Sequence, residues 1–307
     1  MAFTAKDVAR LREITGAGMM DCKKALTHTD GDMDKATEYL REIGVSVAAK
    51  KAGRIASEGA VAAAVSADKK VGALVEVNCE SDFVGKSEPF TELCAAIAKQ
   101  IAKTNPADCD ALLDTKTDGG ETVRDLINNA TVKIGEKLSL RRFVRFENKN
   151  GYQEFYIHMG GKIGVLLEFE TGKDLSANAE FGAVCHDIAM HIAAIAPKYV
   201  YESEVPAAEA EREMGILRAQ ALNEGKPEAV VEKMIQGRIR KYFNEICLIK
   251  QEFVKDPSVT VGKLVEDTAK KLGTDVKIVR FEKLIMGEGL EKKNDNLAEE
   301  VAKMQNK

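Results

Sequence analysis

A β-type run at residues 71–77, VGALVEV, returns at 163–169 as IGVLLEF, an offset of 92 residues. An apolar helix face follows each run: Phe90, Leu93, Cys94, Ile97 and Ile101 in the first case, Phe181, Val184, Cys185, Ile188 and Ile192 in the second. Both sets fall at i, i+3, i+4, i+7 and i+11, one stripe of an α-helix, and the offset from Phe90 to Phe181 is 91. Pro106 and Pro197 end the two helices at the same offset of 91. Further on, Thr122-Val123, Leu126, Gly135 and Arg142-Phe143 are matched by Thr260-Val261, Leu264, Gly273 and Arg280-Phe281, with the offset now 138. Self-similarity of this kind constrains the fold more than composition does. The chain must hold two copies of a unit that begins as a β-hairpin and a helix and ends in an alternating strand, at 138–146 and from Val276 to Phe281. The second copy must also carry an insertion, roughly 198–256.

The segments outside the copies read as helices. Thr4 precedes Val8, Leu11 and Ile14, with Asp7 placed as in a capping box. Gly16-Ala17-Gly18 breaks that helix. A second carries Met19, Cys22, Ala25 and Leu26, and a third carries Met33, Ala36, Leu40 and Ile43 and stops at Gly44. The insertion holds two arms around Asn223-Glu224-Gly225-Lys226-Pro227, where Gly stops one helix and Pro starts the next. Ala210, Met214, Leu217 and Ala221 face Val231, Ile235, Tyr242, Ile246, Ile249 and Phe253, the pattern of an antiparallel coiled-coil hairpin projecting from the second copy. Leu290, Leu297 and Val301 suggest a terminal helix. The expected class is α+β, divided as a three-helix domain (1–45), a linker (46–58), core subdomain N (59–147), core subdomain C in two parts (148–197 and 257–286), the hairpin (198–256) and a C-terminal module (287–307).

Charge and cysteine usage narrow the function. The 45 basic and 49 acidic residues give a net charge of −4, against a dedicated nucleic-acid binder. The basic run Arg238-Ile239-Arg240-Lys241 reads as the solvated face of a hairpin. Apolar stretches such as 192–197 are far below the roughly 20 residues of a membrane span. The start of the chain shows no basic region followed by an apolar run, so no secretory signal is expected. Six scattered cysteines without a CxxC pair read as reduced thiols, and a cytoplasmic location is expected.

Catalytic motifs fail. Gly160-Gly161-Lys162 lacks P-loop spacing and precedes a strand, Gly287-Glu288-Gly289 lacks the third glycine of a dinucleotide fingerprint, and neither GxSxG nor HExxH occurs. Cys185, His186 and His191 are not spaced to share a metal on a helix. The cysteine is read as buried and the histidines as surface or interface side chains. Cys79 lies beside Glu80 and Asp82, acids that raise a thiol pKa, so a structural, half-buried role is expected. No catalytic, cofactor or metal site is expected. What remains is the strand-to-helix loop at 78–86, NCESDFVGK, with an acid beside an aromatic. A turn cap at Asp82 and local packing of Phe83 would explain it blandly. The corresponding loop of the second copy, Thr171-Gly172-Lys173-Asp174-Leu175, has no Phe, however, and a requirement of the repeat would have appeared twice.

Two longer motifs carry a family resemblance. Residues 15–26, TGAGMMDCKKAL, and 76–84, EVNCESDFV, resemble the two signatures of the bacterial elongation factor Ts family. Tyr156-Ile157-His158, Gly164-Val165-Leu166, Gly225-Lys226-Pro227 and Val279-Arg280-Phe281 also fit. The resemblance runs from about residue 4 to the C-terminal region. Ser81 stands where the family usually has Thr, which keeps a capping hydroxyl, and the tail after Gly289 matches least. The resemblance implies a ubiquitin-associated-like (UBA-like) N-terminal domain and guanine-nucleotide exchange on elongation factor Tu, in its GDP-bound and nucleotide-free states, without covalent chemistry. It implies that Ser81, Asp82, Phe83 and Val84 disturb the partner's Mg²⁺ site. Arg12, Met19, Met20 and His158 are the implied partner contacts. Met19 and Met20 as helix core, Arg12 as a solvated charge and His158 as a buried strand residue stay open beside that. So do a UBA-type adaptor without exchange activity, a thiol or metal enzyme, and a homodimer formed through the hairpin.

Overall fold

The computed structural model describes residues 3–225 and 227–291. It opens with α1 (Ala5–Thr15), α2 (Met19–His28) and α3 (Met33–Lys51). Thr4 caps α1 in a reciprocal box: its side chain accepts the Asp7 N–H, and its own N–H donates to the Asp7 carboxylate at 2.7 Å. Gly16, at φ 68, ends the helix in the left-handed region. Val8, Leu11, Ala17, Cys22, Ala25, Leu26, Ala36 and Leu40 close a small core.

The two copies then unfold in parallel. The first contains β1 (Glu58–Val65), β2 (Val71–Cys79), α4 (Asp82–Gly85), α5 (Glu88–Thr104), α6 (Cys109–Leu113), α7 (Val123–Ile134) and β3 (Ser139–Glu147). The second contains β4 (Gly151–His158), β5 (Ile163–Thr171), α8 (Ala179–Ile195), then α9 (Ala207–Asn223), α10 (Glu228–Ile246), β6 (Glu252–Phe253) and β7 (Asp256–Thr260), and finally α11 (Val261–Leu272) and β8 (Val276–Ile285). Each copy builds a three-stranded antiparallel sheet with its middle strand second in sequence, β1-β2-β3 and β4-β5-β8. The register shifts at Glu76/Val77 in one sheet and at Glu168/Phe169 in the other, again 92 residues from 76 to 168. Local signals recur as well. Asn105 and Ala196 end α5 and α8 in the left-handed region, Thr122 and Thr260 cap α7 and α11, and Gly135 and Gly273 end them.

One face of each sheet is covered by helices. Phe90, Leu93, Ile97 and Ile101 of α5 pack with Val123 and Ile127 of α7 on the first sheet. Phe181, Cys185, Ile188 and Ile192 of α8 pack with Val261 and Val265 of α11 on the second. The other faces meet through Val61, Leu74, Phe146, Leu166 and Leu284. Two glycines permit that approach. A Cβ at Gly72 would stand 2.7 Å from Leu166 Cδ1, and a Cβ at Gly164 would stand 2.9 Å from Leu74 Cδ1 and 2.4 Å from Val61 Cγ1. Buried Glu76 and Glu168 meet Arg142 Nε at 2.6 Å and Arg280 Nε at 2.7 Å, an offset of 138 between the arginines. Burial opposes the ionised form of Glu76, but the Gly287 N–H and the Arg141 and Arg142 guanidiniums outweigh it and hold its pKa below the ordinary value.

Three expectations need correction. Gly44 does not end α3, which runs on to Lys51, so residues 46–51 of the expected linker are helical. The glycine lies against α7, where a Cβ would meet Val132 at 3.5 Å, and this packing overrides its weak helix propensity. The second helical arm ends at Ile246 rather than continuing to Phe253, which joins the core of the second sheet. The third concerns the terminal module: Leu290 lies in the turn after β8, while Leu297 and Val301 of the expected terminal helix lie outside the described residues.

The α9–α10 hairpin has a core of Met214, Ala221, Val231 and Ile235. Its root is fixed by Glu209, which accepts the Tyr199 hydroxyl at 2.6 Å and the Tyr242 hydroxyl at 2.7 Å. Among the described residues no helix is long and apolar enough to cross a membrane.

Two outcomes follow from this packing. Gly164→Ala should lower stability by about 1–3 kcal/mol, since the new methyl overpacks the inter-sheet layer; an unchanged urea midpoint would contradict the close approach. The Tyr199 and Tyr242 hydroxyls pull the Glu209 pKa from 4.5 to about 2. Its contribution to stability is therefore full above the unfolded pKa of 4.5 and is lost as pH falls toward 2. Between about pH 5 and pH 3 the wild-type urea midpoint should fall more steeply than that of Glu209→Gln; equal slopes would contradict this account.

Candidate functional site

The loop after β2 is built from its anchors outward. Cys79 is buried, and its thiol donates to the Ser81 carbonyl at 3.1 Å. Ser81 caps the single turn of α4, its hydroxyl oxygen accepting the Val84 N–H at 3.4 Å. Val84 packs against the first core. Gly85 is laid on β1 so closely that a Cβ there would stand 3.0 Å from the Gly59 carbonyl oxygen. With both ends of the turn tied down, Phe83 has no place inside and is 84% exposed. Counting the same four residues from the end of the matching strand in the second copy reaches Leu175, which is 4% exposed. Asp82 pairs with Lys86 at 2.6 Å, and that hydrogen bond draws its pKa below the ordinary carboxylate value.

The turn between β4 and β5 comes to the same strand. Gly161 accepts the Val61 N–H at 2.8 Å, and a Cβ on Gly161 would stand 2.7 Å from that of Ala60. His158, half-buried at the end of β4, shares a 2.8 Å hydrogen bond with the Tyr156 hydroxyl. Lys162 pairs with Glu58 at 2.9 Å. The structure thus brings the loop with Ser81, Asp82, Phe83 and Val84, and the β4–β5 turn that begins at His158, to the same strand, β1. Arg12, Met19 and Met20 belong to the three-helix unit instead. All three are exposed, Met20 to 63%, so neither methionine is a core residue of α2.

Sequence reasoning missed three residues here. Met159 follows His158 at φ 49 and is 72% exposed. Lys162 lies close enough to Asp82 to help lower its pKa. Glu136, in the turn after α7, accepts three hydrogen bonds from the loop. A signal for Glu136 existed: the residue 138 positions on is Thr274, so this acid belongs to one copy only.

No thiol here is set up as a nucleophile. Burial first, then Glu136 and Glu58, push the Cys79 thiol up to about 12; the acids responsible are these rather than the sequence neighbours Glu80 and Asp82. Burial is complete, not partial as expected. Burial also raises Cys22, Cys94, Cys109, Cys185 and Cys247. His191, expected at a surface or interface, is buried: its Nε2 lies 2.9 Å from Gln251 Oε1 and its Nδ1 accepts the Val254 N–H. Residues near β6 cover it, and their position is not readable from helix periodicity. His186 is partly exposed, beside the Tyr156 ring. No group of three metal-binding side chains occurs among the described residues. In the native protein at pH 8, partly exposed Cys109 should react first with Ellman's reagent, with the five buried thiols reacting only after urea is added. Rapid native labelling of Cys79 would contradict the burial argument.

Comparison with known proteins shows the family. The family model described as Elongation factor TS matches residues 80–288, from the start of the loop to the turn after β8. Elongation factor Ts of Clostridium perfringens is 49% identical over 302 residues, covering 98% of this chain and 99% of that protein. The Clostridium botulinum protein of the same name is 47% identical over 301 residues, covering 98% of each chain. That of Symbiobacterium thermophilum is 48% identical over 301 residues, covering 97% of each. A family match over more than half of the chain, and relatives this similar from one end to the other, place it: the chain belongs to the elongation factor Ts family.

Proposed function

We propose that this chain is a guanine-nucleotide exchange factor that binds elongation factor Tu in its GDP-bound and nucleotide-free states and speeds GDP release in the cytoplasm. The observation that carries this reading is Phe83: a large apolar side chain held out in solvent on a turn fastened at both ends, where the matching residue of the second copy is buried. An exchange factor needs no acid, base or nucleophile. It must bind the nucleotide-free partner more tightly than the GDP-bound one, and linkage then weakens GDP by the same factor. Phosphates and Mg²⁺ supply much of the affinity of such a GTPase for its nucleotide, so a contact that displaces the Mg²⁺ site is effective.

In this reading Phe83 inserts between side chains of a partner helix near that site. It gains apolar burial of about 1.5–3 kcal/mol only once the helix has moved. Asp82 supplies polar contacts beside it, and Ser81 and Val84 hold the turn. His158 reaches another part of the partner from the start of the β4–β5 turn. Arg12, Met19 and Met20 present a second contact from the three-helix unit, which we read as UBA-like. The α9–α10 pair is read as an antiparallel coiled-coil hairpin, and residues 59–147 and the two parts of the second copy as the two core subdomains.

Phe83→Ala should lower stimulated release of fluorescent GDP from elongation factor Tu by about tenfold or more, at roughly 1.4 kcal/mol per decade. The melting temperature should stay unchanged, because the side chain makes no internal packing to lose. Release at the wild-type rate would refute the role of Phe83.

A further inference from the structure

We infer that Glu136 is the positioning residue of the exchange loop: its carboxylate fixes the turn from which Phe83 projects. The inference rests on the reading of Phe83 as the inserted side chain.

Gly135 ends α7 in the left-handed region at φ 86, and the chain turns so that Glu136 faces the end of β2. Its Oε2 accepts the N–H groups of Glu80 at 3.0 Å and Ser81 at 2.9 Å, and its Oε1 accepts the Ser81 hydroxyl at 2.6 Å. Hydrogen bonds to an ionised acceptor are roughly twice as strong as neutral ones. The tie is reciprocal, since the Glu80 carboxylate accepts the Lys137 N–H at 2.6 Å. Glu80 also pairs with Arg54 at 3.2 Å, and Lys137 Nζ donates to the carbonyls of Ala52 at 2.6 Å and Arg54 at 2.9 Å. One network therefore joins the loop, the α7–β3 turn and the segment that leads in from α3.

The second copy explains why this clamp exists once. There Leu175 is buried and anchors its own loop, and the Gly172 N–H reaches the Asp275 carbonyl at 2.9 Å; Thr274 stands where the first copy has Glu136. A loop that turns its large side chain outward forgoes that apolar anchor. Glu136 supplies a polar one from outside the loop. Without it, the Glu80–Ser81 end of the turn must be ordered when the partner is engaged, and the lost conformational entropy opposes insertion. The rest of the contact surface is unaffected, so the loss falls on the maximal exchange rate more than on partner affinity.

The test compares Glu136→Ala, Glu136→Gln, Phe83→Ala and the Glu136→Ala/Phe83→Ala double variant in stimulated fluorescent-GDP release from elongation factor Tu. Native-state amide exchange is measured at Glu80 and Ser81 alongside. Glu136→Ala should lower the maximal rate about tenfold while the half-saturating concentration changes less than about threefold. Glu136→Gln keeps one oxygen for the two N–H groups and can turn its amide toward the Ser81 hydroxyl, so it should recover most of the rate. The double variant should be no slower than Phe83→Ala alone, because both changes act through one side chain. Amide exchange at Glu80 and Ser81 should accelerate in Glu136→Ala. A wild-type rate for Glu136→Ala beside a slow Phe83→Ala would overturn the clamp and leave the role of Phe83 standing. A wild-type rate for Phe83→Ala would remove that role, and the positioning assignment with it. Fully additive losses in the double variant would place Glu136 on a different task, and unchanged amide protection would overturn the clamp whatever the rates.

Discussion

The close approach of the two sheets is the constraint on which the remaining geometry depends. It is reciprocal: Gly72 admits Leu166 and Gly164 admits Leu74, with 92 residues from 72 to 164 and again from 74 to 166. One patch of the repeat thus packs on its own second copy, as identical surfaces do in a two-fold dimer. The approach also sets which strand the two flanking features share. β1 lies near enough to the second sheet for the β4–β5 turn to bond to Val61, while its start supports α4 at Gly59.

Much of this was legible because the two copies annotate each other. The offsets of 92, 91 and 138 located both hairpins, both covering helices and both closing strands, and the structure reproduces them down to the register shifts at Glu76 and Glu168. The pairing of buried Glu76 with Arg142 and of buried Glu168 with Arg280 was present in the same self-alignment but carried no signal, since a glutamate within a β run gives no hint of being paired across a sheet. Where no second copy exists, local rules misled. Gly44 is a helix stop by propensity, yet packing against α7 carries α3 past it. Phe253 continues a helical spacing, yet the chain leaves the helix at Ile246 and the side chain is claimed by the core under the second sheet. Tertiary contacts decide in both places, and periodicity does not contain them.

The candidate site is where the copies differ. Phe83 is exposed against a buried Leu175, and Glu136 stands against Thr274. An exposed aromatic is costly in water, and a mobile one loses more entropy on binding than a fixed one. The capped turn of α4, the Gly85–Gly59 contact and the Glu136 hydrogen bonds together remove that second loss in advance. The composition fits the same picture. Every thiol is shifted toward its protonated form, and the site's polar groups are spent on holding a shape.

The central claim is thermodynamic: this chain and GDP oppose one another on a shared partner. The most direct measurement closes the four-sided cycle of equilibria, comparing the affinity of elongation factor Tu for GDP with and without this chain at saturation, and its affinity for this chain with and without GDP. The account predicts that each affinity is lowered by the other ligand, by factors far above one that are equal within error, as linkage requires. A GDP affinity unchanged by a saturating amount of this chain would contradict it.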